Sequence, residues 1–197
     1  GQIIAGPLVA GHGLSVDIFL ANGTLLLSGV KVNADGSFTV KNLLAGVGDV
    51  IIAKVVDATP GADYLDETTR LPTDLNAELL AVKVLESTSV TMNVNPLTTI
   101  AAIKAGLAAD GSGTVANADV AKNANMAVAQ AFGIPGIDIS TTSVVATNSD
   151  GFSQSGGLSA GEKVGVVLAA LSGYDKVNKG DSKATISMLS DQLNVQG

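Results

Sequence analysis

Apolar and polar positions alternate along the first half of the chain, and the spacing turns helical at one point. In "SVDIFLANGTLLLSG", residues 15–29, Asn22-Gly23 separates two apolar runs. That pair is the strongest short signal for a β-hairpin, with both turn residues expected at positive φ. A second turn is expected at Asp35-Gly36 in "VKVNADGSFTV", where Val30 and Val32 alternate with Lys31 and Asn33, and Phe38 and Val40 flank Thr39. "DVIIAKVVD", residues 49–57, reads as a buried strand, and "SVTMNVN" as an alternating one with Val90, Met92 and Val94 on one face. Short strands punctuated by Gly, Asn and Asp predict a small β-sandwich.

From Asn95 the period changes. Leu97, Ile100, Ile103 and Leu107 fall at helical spacing, Asn95 is a good N-cap, and Pro96 suits the first turn. Three further helices are expected. The first carries Val120, Ala124, Ala127 and Ala131 and stops at Gly133. The second carries Val164, Val167, Leu168 and Leu171 and stops at Gly173. The third carries Ile186, Leu189 and Leu193, with Asp181 as its cap. The Ser/Thr/Gly-rich stretch from Ile134 to Gly157 is expected to wrap the surface. The fold class expected is α+β. A β-sandwich over residues 1–95, of the Ig-like or carboxypeptidase-regulatory-like kind, leads without a linker into a small four-helix bundle over 96–197, the two packed as one unit.

Composition narrows the function. Of the 197 residues 46% are apolar, enough for a core, but only 3% are aromatic and none is Trp. Stacking platforms for sugars or bases are therefore disfavoured. The net charge is −7, with 11 Lys plus Arg and no basic run, which argues against a nucleic-acid groove. The absence of Cys removes disulfides, zinc ribbons and thiol chemistry. The longest apolar run is too short to span a membrane. A start at Gly1, with no Met and no signal peptide, suggests a segment of something longer.

One stretch looks catalytic. "GLSAGEK", residues 157–163, matches the G-x-S-x-G pattern that presents a nucleophilic serine. That elbow needs a strand before the serine, whereas "SDGFSQSGG" reads as loop. It also needs a base, and the sole histidine, His12, lies between glycines far away in sequence. Ser159 and Glu162 instead have the S-x-x-E spacing of a capping box ahead of an apolar stripe. Ser159 is thus expected to start a helix rather than attack a substrate.

Two acidic stretches hold oxygen ligands suited to Ca²⁺. "DYLDETT" groups Asp63, Asp66 and Glu67 on a predicted loop, against the simpler reading of a solvated acidic surface. "DGSGTVANAD" offers Asp110, Ser112, Thr114 and Asp119 but lacks the closing Glu of an EF-hand, and its Gly111 and Gly113 more simply end a helix.

Several stretches carry a resemblance: "ADYLDETTRLPTDLNAELLAV", "NVNPLTTIAAIKAG", "ANMAVAQAFGIPGIDIS", "LSAGEKVGVVLAALSGYDK" and "GDSKATISMLSDQL". Together they resemble a recurrent domain of large RTX-type bacterial surface adhesins, the biofilm and ice-binding kind, and more narrowly the split domain of their distal ligand-binding region. The resemblance runs from about residue 3 to residue 193, and Asn95-Pro96-Leu97-Thr98 and the "LAALSG" helix end are its most specific pieces. It implies a calcium-rich extracellular setting on the bacterial surface. It also implies a non-catalytic, monomeric role as a scaffold or spacer beside ligand-binding domains of the same chain, with neither nucleic acid nor membrane insertion. The alternatives are a peptide- or glycan-binding module in its own right and, less well supported, a serine hydrolase. The resemblance supplies no ligand pocket that maps residue by residue.

Overall fold

The computed structural model describes residues 1–66, 69–88, 90–153, 156–177 and 182–195, and the side chains up to 193. The elements run β1 (Gln2–Ile3), β2 (Leu14–Leu20), β3 (Leu25–Lys31), β4 (Val50–Asp57), β5 (Tyr64–Leu65), β6 (Pro72–Thr73), β7 (Leu80–Val84), β8 (Asn93–Val94), α1 (Pro96–Lys104), α2 (Ala118–Ala131), α3 (Ala160–Val177) and α4 (Ser182–Val195). The molecule is a mixed α/β fold. An antiparallel four-stranded sheet in the order β3-β2-β4-β7 dominates, with a β5-β6 pair and a parallel β1-β8 pair beside it.

The sheet is apolar on both faces where β4 and β7 lie. On one face Val16 and Ile18 of β2 stand opposite Val55 and Ala53 of β4. On the other, Val50 and Ile52 pair with Val84 and Val82 of β7. The second face packs on Ala102, Ala105, Leu107, Val115, Ala121 and Ala124, from α1, α2 and the turn between them. The first belongs to a larger core that includes Ile3, Phe38, Leu97, Ile100, Val128, Ile139, Val164 and Ile186. Helix α1 joins both cores, and all six residues from Leu97 to Ala102 are buried. A helix apolar all round suits this central position.

Helix α1 is fastened to the sheet by polar groups. Asn95 Oδ1 accepts from the Thr98 amide at 3.0 Å and Thr98 Oγ1 accepts from the Asn95 amide at 2.9 Å, a reciprocal capping box. Thr98 Oγ1 also donates to the Leu80 carbonyl at 2.8 Å, and Thr99 Oγ1 accepts from the Leu80 amide at 2.9 Å. Asn125 Nδ2 of α2 donates to the Val82 carbonyl at 3.0 Å. Side chains of two helices thus bond three outward peptide groups of edge strand β7, which an open edge would leave available for pairing.

These contacts set limits on the sequence reading. Strands followed by four helices are present, but a β-sandwich leading into a four-helix bundle is not confirmed. The main sheet packs against helices, and α1 lies between β7, α2 and α4. The Asn22-Gly23 hairpin forms, yet only Gly23 takes positive φ, at 82°. Asn22 contributes through its side chain, which accepts from the Thr24 amide at 2.9 Å. At Asp35-Gly36 the turn closes on a single bridge, Val32 to Phe38. The alternation expected at 90–94 is broken: Val90 is exposed and Asn93 is buried. Asn93 is held by the 136–142 segment, its amide donating to Ser140 O and its Nδ2 to Thr142 O, both at 2.6 Å.

The helices show further differences. In α2 the buried face is Ala121, Ala124, Asn125, Val128 and Ala129, while Ala131 is exposed, so the expected stripe is rotated by about one residue. The bond from Asn125 to β7 fixes that rotation. Helix α3 runs through Gly173 to Val177, and no atom lies within 4 Å of where a Gly173 side chain would begin. Continuing the helix brings Asp175 to α4, where Ser182 Oγ donates to it at 3.0 Å and Thr185 Oγ1 also donates. Asp181, the expected cap of α4, lies outside the described residues. The long 134–157 stretch has no helix or strand among its described residues, and it is anchored by buried Ile139 and Ser140.

Candidate functional site

Ser159 stands at the start of α3 as a cap. Its amide donates to Glu162 Oε2 at 2.6 Å, and its Oγ accepts from the Glu162 amide at 3.3 Å. Glu162 Oε1 accepts a further hydrogen bond from the Ser153 amide. The Ser159 hydroxyl, and the two amides from Ser159 and Ser153, hold the Glu162 carboxyl below its ordinary value. The third element of the G-x-S-x-G pattern has a packing role. A side chain on Gly161 would begin 2.3 Å from the Ser143 carbonyl oxygen, and one on Gly165 only 2.0 Å from that of Val145. The 143–145 segment lies directly on the first turns of α3, with the Val145 amide donating to Gly161 O at 3.1 Å. His12 is engaged in its own loop, Nδ1 accepting from the Leu14 amide at 3.3 Å.

Of the expected calcium ligands, Asp63 and Asp66 have different hydrogen-bond partners. Asp63 is 1% exposed and lies just before β5. Its main chain is bonded on both sides: its carbonyl accepts from Val9 at 2.8 Å, and its amide donates to Thr73 at 2.9 Å. Its Oδ2 accepts from the Leu75 amide at 2.9 Å. Asp66 serves a different turn. Its Oδ1 accepts from the Thr69 amide at 2.6 Å, and its Oδ2 from Ser172 Oγ of α3 at 3.3 Å. Glu67 lies outside the described residues. In "DGSGTVANAD" Asp110 bends back on its own loop, Oδ1 accepting from the Ser112 amide at 2.8 Å.

The structure brings Asp63 together with two carboxylates that local sequence reading missed. Asp57 at the end of β4, Asp63, and Asp74 just after β6 each offer an oxygen, and the three oxygens lie within 4.8 Å of one another. Asp57 and Asp74 are exposed and Asp63 is buried, so the cluster opens to solvent from a fixed base. Burial raises the Asp63 carboxyl above its ordinary value; the Leu75 amide opposes the rise, and the charges of Asp57 and Asp74 add to it. Crowded oxygens of this kind match the hard-ligand preference of Ca²⁺. The signal was spread over three segments joined only by β4, the β5-β6 pair and the turns between them. No spacing rule connects such positions.

No family model, curated protein or solved structure matches this chain. Among the described residues, no helix is long and apolar enough to cross a membrane.

Proposed function

We propose that the chain is a non-catalytic extracellular module of a large bacterial adhesin, a scaffold that fixes the spacing of neighbouring ligand-binding domains. The adhesin part of this reading rests on the resemblance of the Asn95-Pro96-Leu97-Thr98 junction and the helical stretches. The scaffold part rests on one observation, the interlock of α1 with β7. A spacer that transmits position needs a continuous packed path, and α1 provides one from the sheet to α2 and α4. The engagement of Ser159 in a helix cap supports a non-catalytic role. Calcium enters as a local brace: the Asp57, Asp63 and Asp74 cluster is the place for it, and an ion there would relieve the repulsion among the three carboxylates. The module acts as a monomer, with its partners in the same chain.

The absence of Cys makes the test clean. Cysteines placed at Leu44 and Val177, 87% and 80% exposed, accept spin labels without competition. A rigid spacer gives one narrow distance distribution, unchanged in width with or without calcium. A broad distribution contradicts the scaffold role, and labelling of Ser159 by a fluorophosphonate probe contradicts the non-catalytic one.

A further inference from the structure

The turn joining β2 to β3 reads Asn22-Gly23-Thr24, an Asn-x-Thr triplet, and no other Asn in the chain has Ser or Thr two positions on. This is the acceptor pattern of asparagine-linked glycosylation, in which the side-chain amide receives the sugar and the transferase reads the later hydroxyl. An acceptor must lie on the surface. Asn22, Gly23 and Thr24 are all exposed.

Main-chain bonds hold this turn and leave the groups needed for transfer unengaged. Gly23 N donates to Leu20 O, and Leu20 N to Thr24 O, both at 2.9 Å. Ala21 ties the base of the turn to its surroundings, its amide donating to Val50 O at 3.0 Å and its carbonyl accepting from the Val115 amide at 2.9 Å. The Thr24 amide donates to Asn22 Oδ1 at 2.9 Å. That N–H can only donate, which fixes the orientation of the Asn22 side-chain amide. Asn22 Nδ2 and the Thr24 hydroxyl make no hydrogen bond among the described residues. A side chain beginning at Gly23 would meet only Gly113 O, at an ordinary 3.5 Å, so the tip is not crowded.

We propose that Asn22 is a site of asparagine-linked glycosylation, with an activated glycosyl phosphate as the donor. Nδ2 attacks C1 of the sugar. The N–C1 bond forms as the C1–O bond to phosphate breaks, the phosphate leaves with the electron pair, and one Nδ2 proton passes to a base of the transferase. A free amide is a poor nucleophile, because its nitrogen lone pair is shared with the carbonyl. The Thr24 amide on Oδ1 draws charge from the group and makes the Nδ2 protons more acidic. The competing reaction of an Asn-Gly pair is deamidation, in which the Gly nitrogen attacks the Asn side-chain carbon, ammonia leaves and water opens the ring. Here that nitrogen is engaged with Leu20 O, so the turn preserves the amide for transfer. This modification goes beyond the spacer reading and does not depend on it.

Mass spectrometry of the full chain isolated from the cells that produce it tests the site. Trypsin releases the turn in a peptide ending at Lys31. The expected result is a sugar on Asn22, located by electron-transfer fragmentation: a single hexose if the donor is a nucleotide sugar, an oligosaccharide if it is lipid-linked. Asn22→Gln and Thr24→Ala are each expected to abolish the sugar, and Thr24→Ser to retain it. An unmodified Asn22, or one converted to Asp without a sugar, overturns the proposal, as does a sugar that survives Thr24→Ala. A second measurement takes chain made in cells without such a transferase and incubates it with a transferase that reads Asn-x-Thr and with UDP-glucose. The folded chain is expected to accept glucose at Asn22, and acceptance only after unfolding overturns the role of the folded hairpin.

Discussion

The β7–α1 junction and the α3–α4 periphery are both built from short apolar side chains, yet they are held differently. At the junction, three buried polar residues around Pro96, namely Asn95, Thr98 and Thr99, bond within the first helical turn, and the two threonines also bond Leu80 of the sheet. Every residue from Leu97 to Ala102 is buried. In α3 only Gly161, Glu162, Val164, Gly165 and Leu168 are buried, and Val166, Tyr174 and Val177 are exposed. Helix α4 reaches the centre through α1, where Lys104 Nζ donates to the Leu193 carbonyl at 3.1 Å. Apolar content alone does not separate these regions. Burial on all sides does, with polar side chains bonded across to the sheet, even though Asn95 Nδ2 is buried with no hydrogen-bond partner among the described residues.

Breaking the junction should have the largest effect. Thr98→Val keeps the shape but removes half the capping box and the bond to Leu80 O. A loss of about 2–4 kcal/mol in unfolding free energy is expected from denaturant melts, since buried partners are stranded. Next comes the glycine seam of α3. Gly165→Ala places a methyl group against Val145 O and should destabilise by about 1–3 kcal/mol through overpacking. If the periphery is loosely coupled, much of that change will appear as faster hydrogen exchange in 143–145 and α3, with the sheet less affected.

Loss of the cap at Ser159 is smaller. Ser159→Ala should cost about 1 kcal/mol, and Ser159→Asp should largely preserve stability. The cap also predicts an acid response. The Glu162 carboxyl is depressed in the fold, so its contribution is present above the unfolded-state pKa and is lost as pH falls through the folded one. Melting curves of Glu162→Gln should therefore differ from the parent at neutral pH and converge with it in acid.

The acidic cluster has the opposite sign. Asp63 is raised in the fold, so the folded state holds its proton more tightly, and stability falls as pH rises from the unfolded pKa through the folded one. Asp57→Asn with Asp74→Asn removes two repelling charges and should raise the melting temperature slightly at neutral pH in chelator. The same pair should abolish any calcium-dependent stabilisation, which grows with free calcium if an ion binds only the folded state. Calorimetric binding that survives this pair would move the ion elsewhere.

Local features were legible in the sequence. The Asn22-Gly23 turn, the Asn95-Pro96 helix start and the Ser159–Glu162 box each involve residues a few positions apart, and local hydrogen bonding decides them. The face of α2 was not legible. Its run of Ala and Val supports more than one stripe, and the choice came from Asn125 meeting β7. The Asp57–Asp63–Asp74 cluster was hidden for the same reason, since strand pairing assembles it. Gly161 reads in the sequence as the last glycine of the G-x-S-x-G pattern, and its packing role, like that of Gly165, comes from the distant 143–145 segment that lies on both.

Native-state hydrogen exchange across β4, β7 and the four helices tests the central claim most directly. If α1 is the core that locks sheet and helices into one unit, its amides will exchange with those of β4 and β7, in the slowest class and at the free energy of global unfolding. Those of α3 and α4 will open earlier. Contradiction would be α1 exchanging together with α3 and α4, ahead of an intact sheet.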